Sequence, residues 1–105
     1  MGHKVNYKKS DLVDLIYKSL DMPKDKIKVI LDIFLDNLVE IFTKEQSNVR
    51  LEIRNFGVFE VKKTKPKPKA RNPKTNEIIF VPQRRKISFK PGKQISIKLK
   101  KEWHE

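Results

Sequence analysis

The sequence predicts an α+β chain: two N-terminal helices, a three-stranded antiparallel sheet with a protruding β-arm, and a short C-terminal helix. Three patterns predict it. Apolar residues recur near helical period through residues 8–44. Val49, Leu51 and Ile53 then alternate with Arg50, Glu52 and Arg54, the period of a half-buried strand. Finally, cations take every second place from Lys63 to Arg71 between two β-prone segments, which reads as a basic two-stranded ribbon.

The first helix is expected over residues 8–20, where Leu12, Val13, Leu15, Ile16 and Leu20 form an apolar stripe. Ser10 and Asn6 are both candidate caps. Asp21-Met22-Pro23 breaks the helix, and Pro23 suits the first turn of a second one over residues 24–44. Between Ile27 and Phe42, eleven of sixteen residues are apolar, leaving Asn37 and a narrow polar strip of Lys28, Asp32, Asp36 and Glu40. A helix apolar over most of its circumference must be buried on several sides. One short helix and a small sheet cannot cover it, so a dimer with a shared core is expected.

After β-prone residues 49–53, Asn55-Phe56-Gly57 makes a turn and residues 58–61 begin the second strand, which runs on into the arm. There Lys63, Lys65, Lys67, Lys69 and Arg71 alternate with Thr64, Pro66, Pro68 and Ala70, so five positive charges are expected along one side of one strand. Prolines at alternate places point their missing N–H sites the same way, which a ribbon or edge strand tolerates. Asn72-Pro73 and residues 74–77 turn the chain, and residues 78–81 return it. Arg84, Arg85 and Lys86 precede Ile87-Ser88-Phe89. Beyond Pro91-Gly92, Ile95, Leu99 and Trp103 have helical spacing, although Ile95, Ile97 and Leu99 also alternate. Pro91 at a first turn and a lysine-rich composition favour helix over residues 91–103.

At 105 residues the chain is one domain, residues 1–105. Within it we delimit a helical base at 7–46, a sheet and arm at 48–89, and the final helix. It has no cysteine, so a reducing compartment suits it. MGHKVNYKK lacks the apolar core of a signal peptide, and no apolar run approaches the ~18 residues of a membrane span. The net charge of +12 is segregated: residues 1–47 hold eight lysines and eight acids, and residues 48–105 carry the whole excess. A neutral half that packs and a basic half that meets a polyanion is the natural reading.

Enzyme chemistry is not expected. His3 and His104 lie at opposite ends, and the glycines at 2, 57 and 92 form no phosphate-cradling loop. No nucleophile–base constellation occurs and no metal-ligand spacing, so neither a metal nor a cofactor is expected. Asp11/Asp14 and Asp32/Asp36 have the spacing of solvated helix faces. Pro66 and Pro68 form PxP, not the PxxP of an SH3 ligand.

Three motifs in this order, Asn55-Phe56-Gly57-Val58-Phe59, Arg71-Asn72-Pro73-Lys74-Thr75 and Phe89-Lys90-Pro91-Gly92-Lys93, resemble the HU/IHF family of bacterial DNA-bending proteins, most nearly HU. The resemblance runs from about Tyr7 to Lys101. It implies an intertwined dimer of the IHF-like type, whose β-arms wrap duplex DNA along the minor groove. It makes Pro73 the wedge between base pairs, with Arg71, Asn72 and Lys74 beside it. Lys62, Lys63, Lys65, Lys67, Lys69, Arg84, Arg85 and Lys86 would meet the DNA along the arm and its base. Lys90 and Lys93 would meet phosphate, joined by Lys9 from the first helix. The implied dimer core is Ile30, Phe34, Leu38, Phe42, Phe56, Phe59 and Phe89.

Physical chemistry agrees with these roles. Proline is rigid, apolar and without a donor, so it can displace base stacking without stranding an N–H. Residues 62–71 at roughly 3.3 Å each reach about 30 Å, enough to follow a groove. The N-terminus of the last helix adds N–H groups and its dipole to Lys93. Asn55 and Asn76 stand where the family commonly has glycine, and asparagine tolerates positive φ better than most residues. Lysine in place of arginine along the arm favours backbone contact over base readout.

The function expected is therefore non-sequence-specific binding, bending and compaction of double-stranded DNA by a homodimer in the cytoplasm, at the nucleoid, with no membrane partner. A heterodimer with a paralogue, and an IHF-like site-specific subunit, are the alternatives; organelle or viral origin stays open. RNA is a secondary partner, since the arm carries only Phe80 for stacking. A nuclease fails for want of a catalytic constellation. Trp103 is expected to pack on the helical base.

Overall fold

The computed structural model describes residues 4–45 and 48–101, with backbone alone at 67, 68, 70 and 81. Trp103, with its expected packing, lies outside the described residues, as do His3 and His104. The chain divides into a helical unit up to Thr43 and a second unit from Lys44 onward.

In the helical unit, α1 spans Lys9–Ser19 and α2 spans Lys24–Phe42. Neither Ser10 nor Asn6 caps α1. The Lys8 N–H donates to the Asp11 carboxylate at 2.7 Å instead, an acid in the first turn reaching back as in half of a capping box. Pro23 is the N-cap of α2 and not part of its first turn, with the extended φ of −60° and ψ of 146°. Its carbonyl accepts from the N–H groups of Lys26 and Ile27 at 3.1 and 3.2 Å, and no helical bond is asked of its missing donor. At the far end the Thr43 N–H and hydroxyl both donate to the Val39 carbonyl, at 3.0 and 2.7 Å.

Val13 and Ile27 are buried where the helices meet. Much of α2 is not: Val29, Ile30, Ile33, Phe34 and Val39 remain 49–60% exposed. Ile16, Leu20, Met22, Ile27, Ile30 and Phe34 line an apolar groove of about 200 Å³. The crowding of α2 with apolar residues thus produces an uncovered face, as its composition requires.

In the second unit, β1 (Val49–Ile53), β2 (Gly57–Lys63) and β5 (Arg85–Pro91) form an antiparallel sheet in the order β1-β2-β5. β3 (Lys67–Arg71) and β4 (Ile78–Val81) form a separate two-stranded ribbon, the arm. The β1–β2 turn places Asn55 at φ 68°, the left-handed region that asparagine accepts. Gly57 then runs beside Phe89: a Cβ there would lie 2.5 Å from the Phe89 Cε1 and 2.6 Å from the Lys90 carbonyl oxygen.

The arm departs from one expectation. It is not a continuous strand over residues 62–71, because β2 ends at Lys63 and β3 begins at Lys67. The Thr64 N–H donates to the Arg84 carbonyl at 2.7 Å, and the Thr64 hydroxyl accepts from the Arg84 N–H at 3.1 Å. Pro66 follows with no N–H for a ladder. The register then shifts between Lys67 and Ala70. The break and the shift interrupt strict alternation, so the five alternating cations do not share one unbroken strand face.

The last helix, α3, spans Lys93–Leu99 and is shorter than the expected 91–103. Pro91 is not in its first turn: it closes β5 opposite Gly57. The Gly92 N–H donates to the Phe56 carbonyl at 2.7 Å, which keeps the chain extended until the helix starts. The alternation of Ile95, Ile97 and Leu99 is resolved as helix.

Candidate nucleic-acid interface

Directly opposed residues in an antiparallel sheet share a face, and the faces alternate along each strand. The register opposes Leu51 to Phe59, Phe59 to Phe89, and Val61 to both Val49 and Ile87. These make the apolar face. Val61 is buried, and the Phe89 ring lies 4.7 Å from Phe59 and 5.5 Å from Phe56, centroid to centroid. The other face carries Arg50, Glu52, Glu60, Lys62, Lys86, Ser88 and Lys90.

Cations gather where this sheet leads into the arm. Lys62 stands opposite Lys86, and Lys63 opposite Arg85. Two successive like-charged pairs are unfavourable in a sheet that has nothing to neutralise them. Glu60 is the local counterweight, with its carboxylate 3.5 Å from the Lys62 Nζ and 3.7 Å from the Lys90 Nζ. Arg50 is paired to Glu52 at 2.9 Å.

Not every expected cation points the same way. Lys62, Lys86 and Lys90 lie on the polar face, whereas Lys63 and Arg85 fall on the opposite one by alternation. The Arg85 guanidinium donates to the Lys44 carbonyl, so this side chain ties the start of the segment that leads to β1 to β5. Lys9 belongs to the helical unit, where its Nζ pairs with Asp32 at 2.5 Å. Lys93 is the exposed first residue of α3, whose first turn contains no acid.

At the arm tip, a closed loop presents Pro73. The Asn72 N–H donates to the Glu77 carbonyl at 2.8 Å, and the Asn76 N–H to the Asn72 carbonyl at 2.7 Å. The Asn72 Oδ1 accepts from the Lys74 N–H at 3.0 Å, and Asn76 sits at φ 62°. Pro73 has no N–H to satisfy and is exposed at the apex. Lys65, Lys69, Arg71 and Lys74 are exposed as well, while the Lys67 side chain lies outside the description. The expected core residues Ile30, Phe34, Phe56 and Phe89 are 40–55% exposed, and Leu38, Phe42 and Phe59 are half-buried.

Sequence reasoning overlooked Glu60 and Arg50 on the polar face, for which the needed signal was the register of β2 against its neighbours. It also passed over Ile78 and gave Phe80 no role in DNA binding.

The family model described as bacterial DNA-binding protein matches residues 7–100. The chain belongs to this family. The DNA-binding protein HU of Thermotoga maritima is 36% identical over 92 residues, spanning 88% of this chain and 98% of that one. Integration host factor subunit alpha of Marinobacter nauticus is 32% identical over 91 residues, 87% of each chain. A cocrystal structure of Anabaena HU with DNA matches with a TM-score of 0.77 at 28% identity, over 90% of this chain and 98% of that one. The HU/IHF fold expected from the three motifs is thus the fold of this chain. Its family is one of DNA-binding proteins and not of enzymes.

Proposed function

We propose that this chain is an HU-like architectural protein that binds and bends duplex DNA with little sequence preference, as a homodimer in the cytoplasm at the nucleoid. The observation that carries this reading is the two successive pairs of opposed cations, Lys62 with Lys86 and Lys63 with Arg85, at the root of a basic arm. A sheet tolerates such pairs when a polyanion neutralises them. The polar face of β2 and β5 meets the phosphates through Lys62, Lys86 and Lys90. Lys63, Lys65, Lys67, Lys69, Arg71, Lys74 and Arg84 extend the contact along the arm, with Asn72 in the groove beside the tip. Lys93 adds a phosphate contact from α3, and Lys9 adds one from the helical base if Asp32 releases it. Arg85 acts chiefly by anchoring the root of the arm.

Pro73 is the wedge. Inserting an apolar ring at a base step costs a few kcal/mol of stacking, offset by the phosphate contacts that a bent duplex brings within reach. Dimerisation follows from the uncovered face of α2, whose Ile30, Phe34, Leu38 and Phe42 join Phe56, Phe59 and Phe89 in a core shared by two copies.

The test is a salt-titrated binding isotherm on a duplex carrying a specific site and on a scrambled duplex of equal length. Near-equal affinities are expected, with a common loss of ~10³–10⁵-fold between 50 and 200 mM salt if 6–10 phosphates are neutralised. A large preference for one sequence would establish the IHF-like alternative and a different partner chain.

A further inference from the structure

The return strand of the arm bears two apolar side chains that backbone binding and the wedge leave unused. Ile78 and Phe80 are each 64% exposed. Two residues apart on an extended strand, they share a face. Ile78 stands opposite Arg71, so the Arg71 guanidinium belongs to that face as well. The pairing passes from Ala70–Ile79 to Lys67–Val81, a bulge that sets residues 68 and 69 together against Phe80. An aromatic ring on a thin ribbon has no core to enter, and this one is set about 7 Å beyond Ile78 along the strand.

We propose that Phe80 is a stacking residue for an unpaired base in gapped or single-stranded DNA, with Arg71 on the adjoining phosphate and Ile78 against the deoxyribose. The inference rests on the DNA-binding role proposed above and adds to it a residue that selects among DNA structures. Charge and chemistry commit the face to this occupant: a cation and a bare ring side by side match a nucleotide, which presents an anion and a π-face at the same spacing. An intact duplex keeps its bases stacked and offers Phe80 only groove edges.

The experiment measures, at fixed salt, the ratio of affinities of the full chain for a duplex containing a short single-stranded gap and for the same duplex intact. Phe80→Ser and Phe80→Leu should each lower the gapped-to-intact ratio by about fivefold to a hundredfold, the range of one lost stacking contact, while intact-duplex affinity stays within about twofold. Phe80→Trp should keep the ratio. An unchanged ratio in Phe80→Ser would overturn the proposal, as would equal losses on both substrates, which would make Phe80 a structural part of the arm. Reduced self-association at an unchanged ratio would also overturn it, giving the face to a second copy. If the parent chain binds gapped DNA in a Phe80-dependent way but ignores intact duplex, the proposed duplex-bending function fails and the stacking site stands.

Discussion

Lys62 and Lys86 face each other across β2 and β5, and the next pair along, Lys63 and Arg85, repeats the like charge. Glu60, only 3.5 Å from Lys62, offsets part of this repulsion and is itself shared with Lys90. The free sheet therefore holds charge that a bound phosphate backbone would relieve. Affinity for a polyanion and a small loss of intrinsic stability have the same source.

Lys86→Ala separates these two effects. The variant should be more stable than the parent at low salt, by about 0.2–1 kcal/mol, and should bind duplex more weakly. Thermal unfolding at low and high salt, beside a binding isotherm, checks both. The stability gain should vanish at high salt, where repulsion between exposed charges is screened. A lower melting temperature at low salt would show that Lys86 contributes packing that outweighs its charge.

Pro73→Ala should reduce bending more than binding. The phosphate contacts proposed for the arm would survive the substitution, whereas the rigid apolar ring proposed to unstack a base step would not. Energy transfer between dyes at the two ends of a duplex reports the bend, and anisotropy of the same complex reports affinity. Equal loss of both would remove the wedge role.

The lysines of the arm should act without regard to sequence. Changing Lys65, Lys67 and Lys69 together to Ala should lower affinity uniformly for unrelated duplexes and, since a homodimer loses six lysines, reduce the salt slope by about five. A loss confined to one sequence would mean that the arm reads bases.

Phe34→Asp tests the shared core. Phe34 is 49% exposed within one chain and lines the apolar groove of the helical unit. A carboxylate there should convert dimer to monomer in sedimentation experiments, because a buried unpaired charge is strongly unfavourable. Duplex affinity should fall by about 10²-fold or more as two linked arms become one. The parent's melting temperature should rise with protein concentration, as expected of a folded dimer.

Gly57→Ala concerns the sheet alone. Its Cβ would meet the Phe89 ring at 2.5 Å and the Lys90 carbonyl oxygen at 2.6 Å, and the backbone oxygen cannot move aside without disturbing β5. A destabilisation of about 1–3 kcal/mol is expected in denaturant unfolding. An unchanged midpoint would show that β2 and β5 separate at this end more easily than their pairing suggests.

Local chemistry by itself determined much of this protein. The helical period of residues 8–44 places α1 and α2 to within a residue or two. The alternation from Val49 places β1, and Asn55 and Asn76 adopt the positive φ that their positions in tight turns demand. The segregation of charge announces a polyanion partner, and the three motifs identify the family. Other features depend on which residues face each other, and that information is absent from any single stretch. The start of α3 is decided by whether Phe56 claims the Gly92 N–H. The arm breaks at Thr64 because Arg84, twenty residues away, meets it there. Register alone sends Lys62 and Lys86 to one face and Lys63 and Arg85 to the other, since a shift of one residue exchanges the faces of every side chain. Residue types and their spacing carry the chemistry of the chain; pairing between distant segments decides which of its cations can act together.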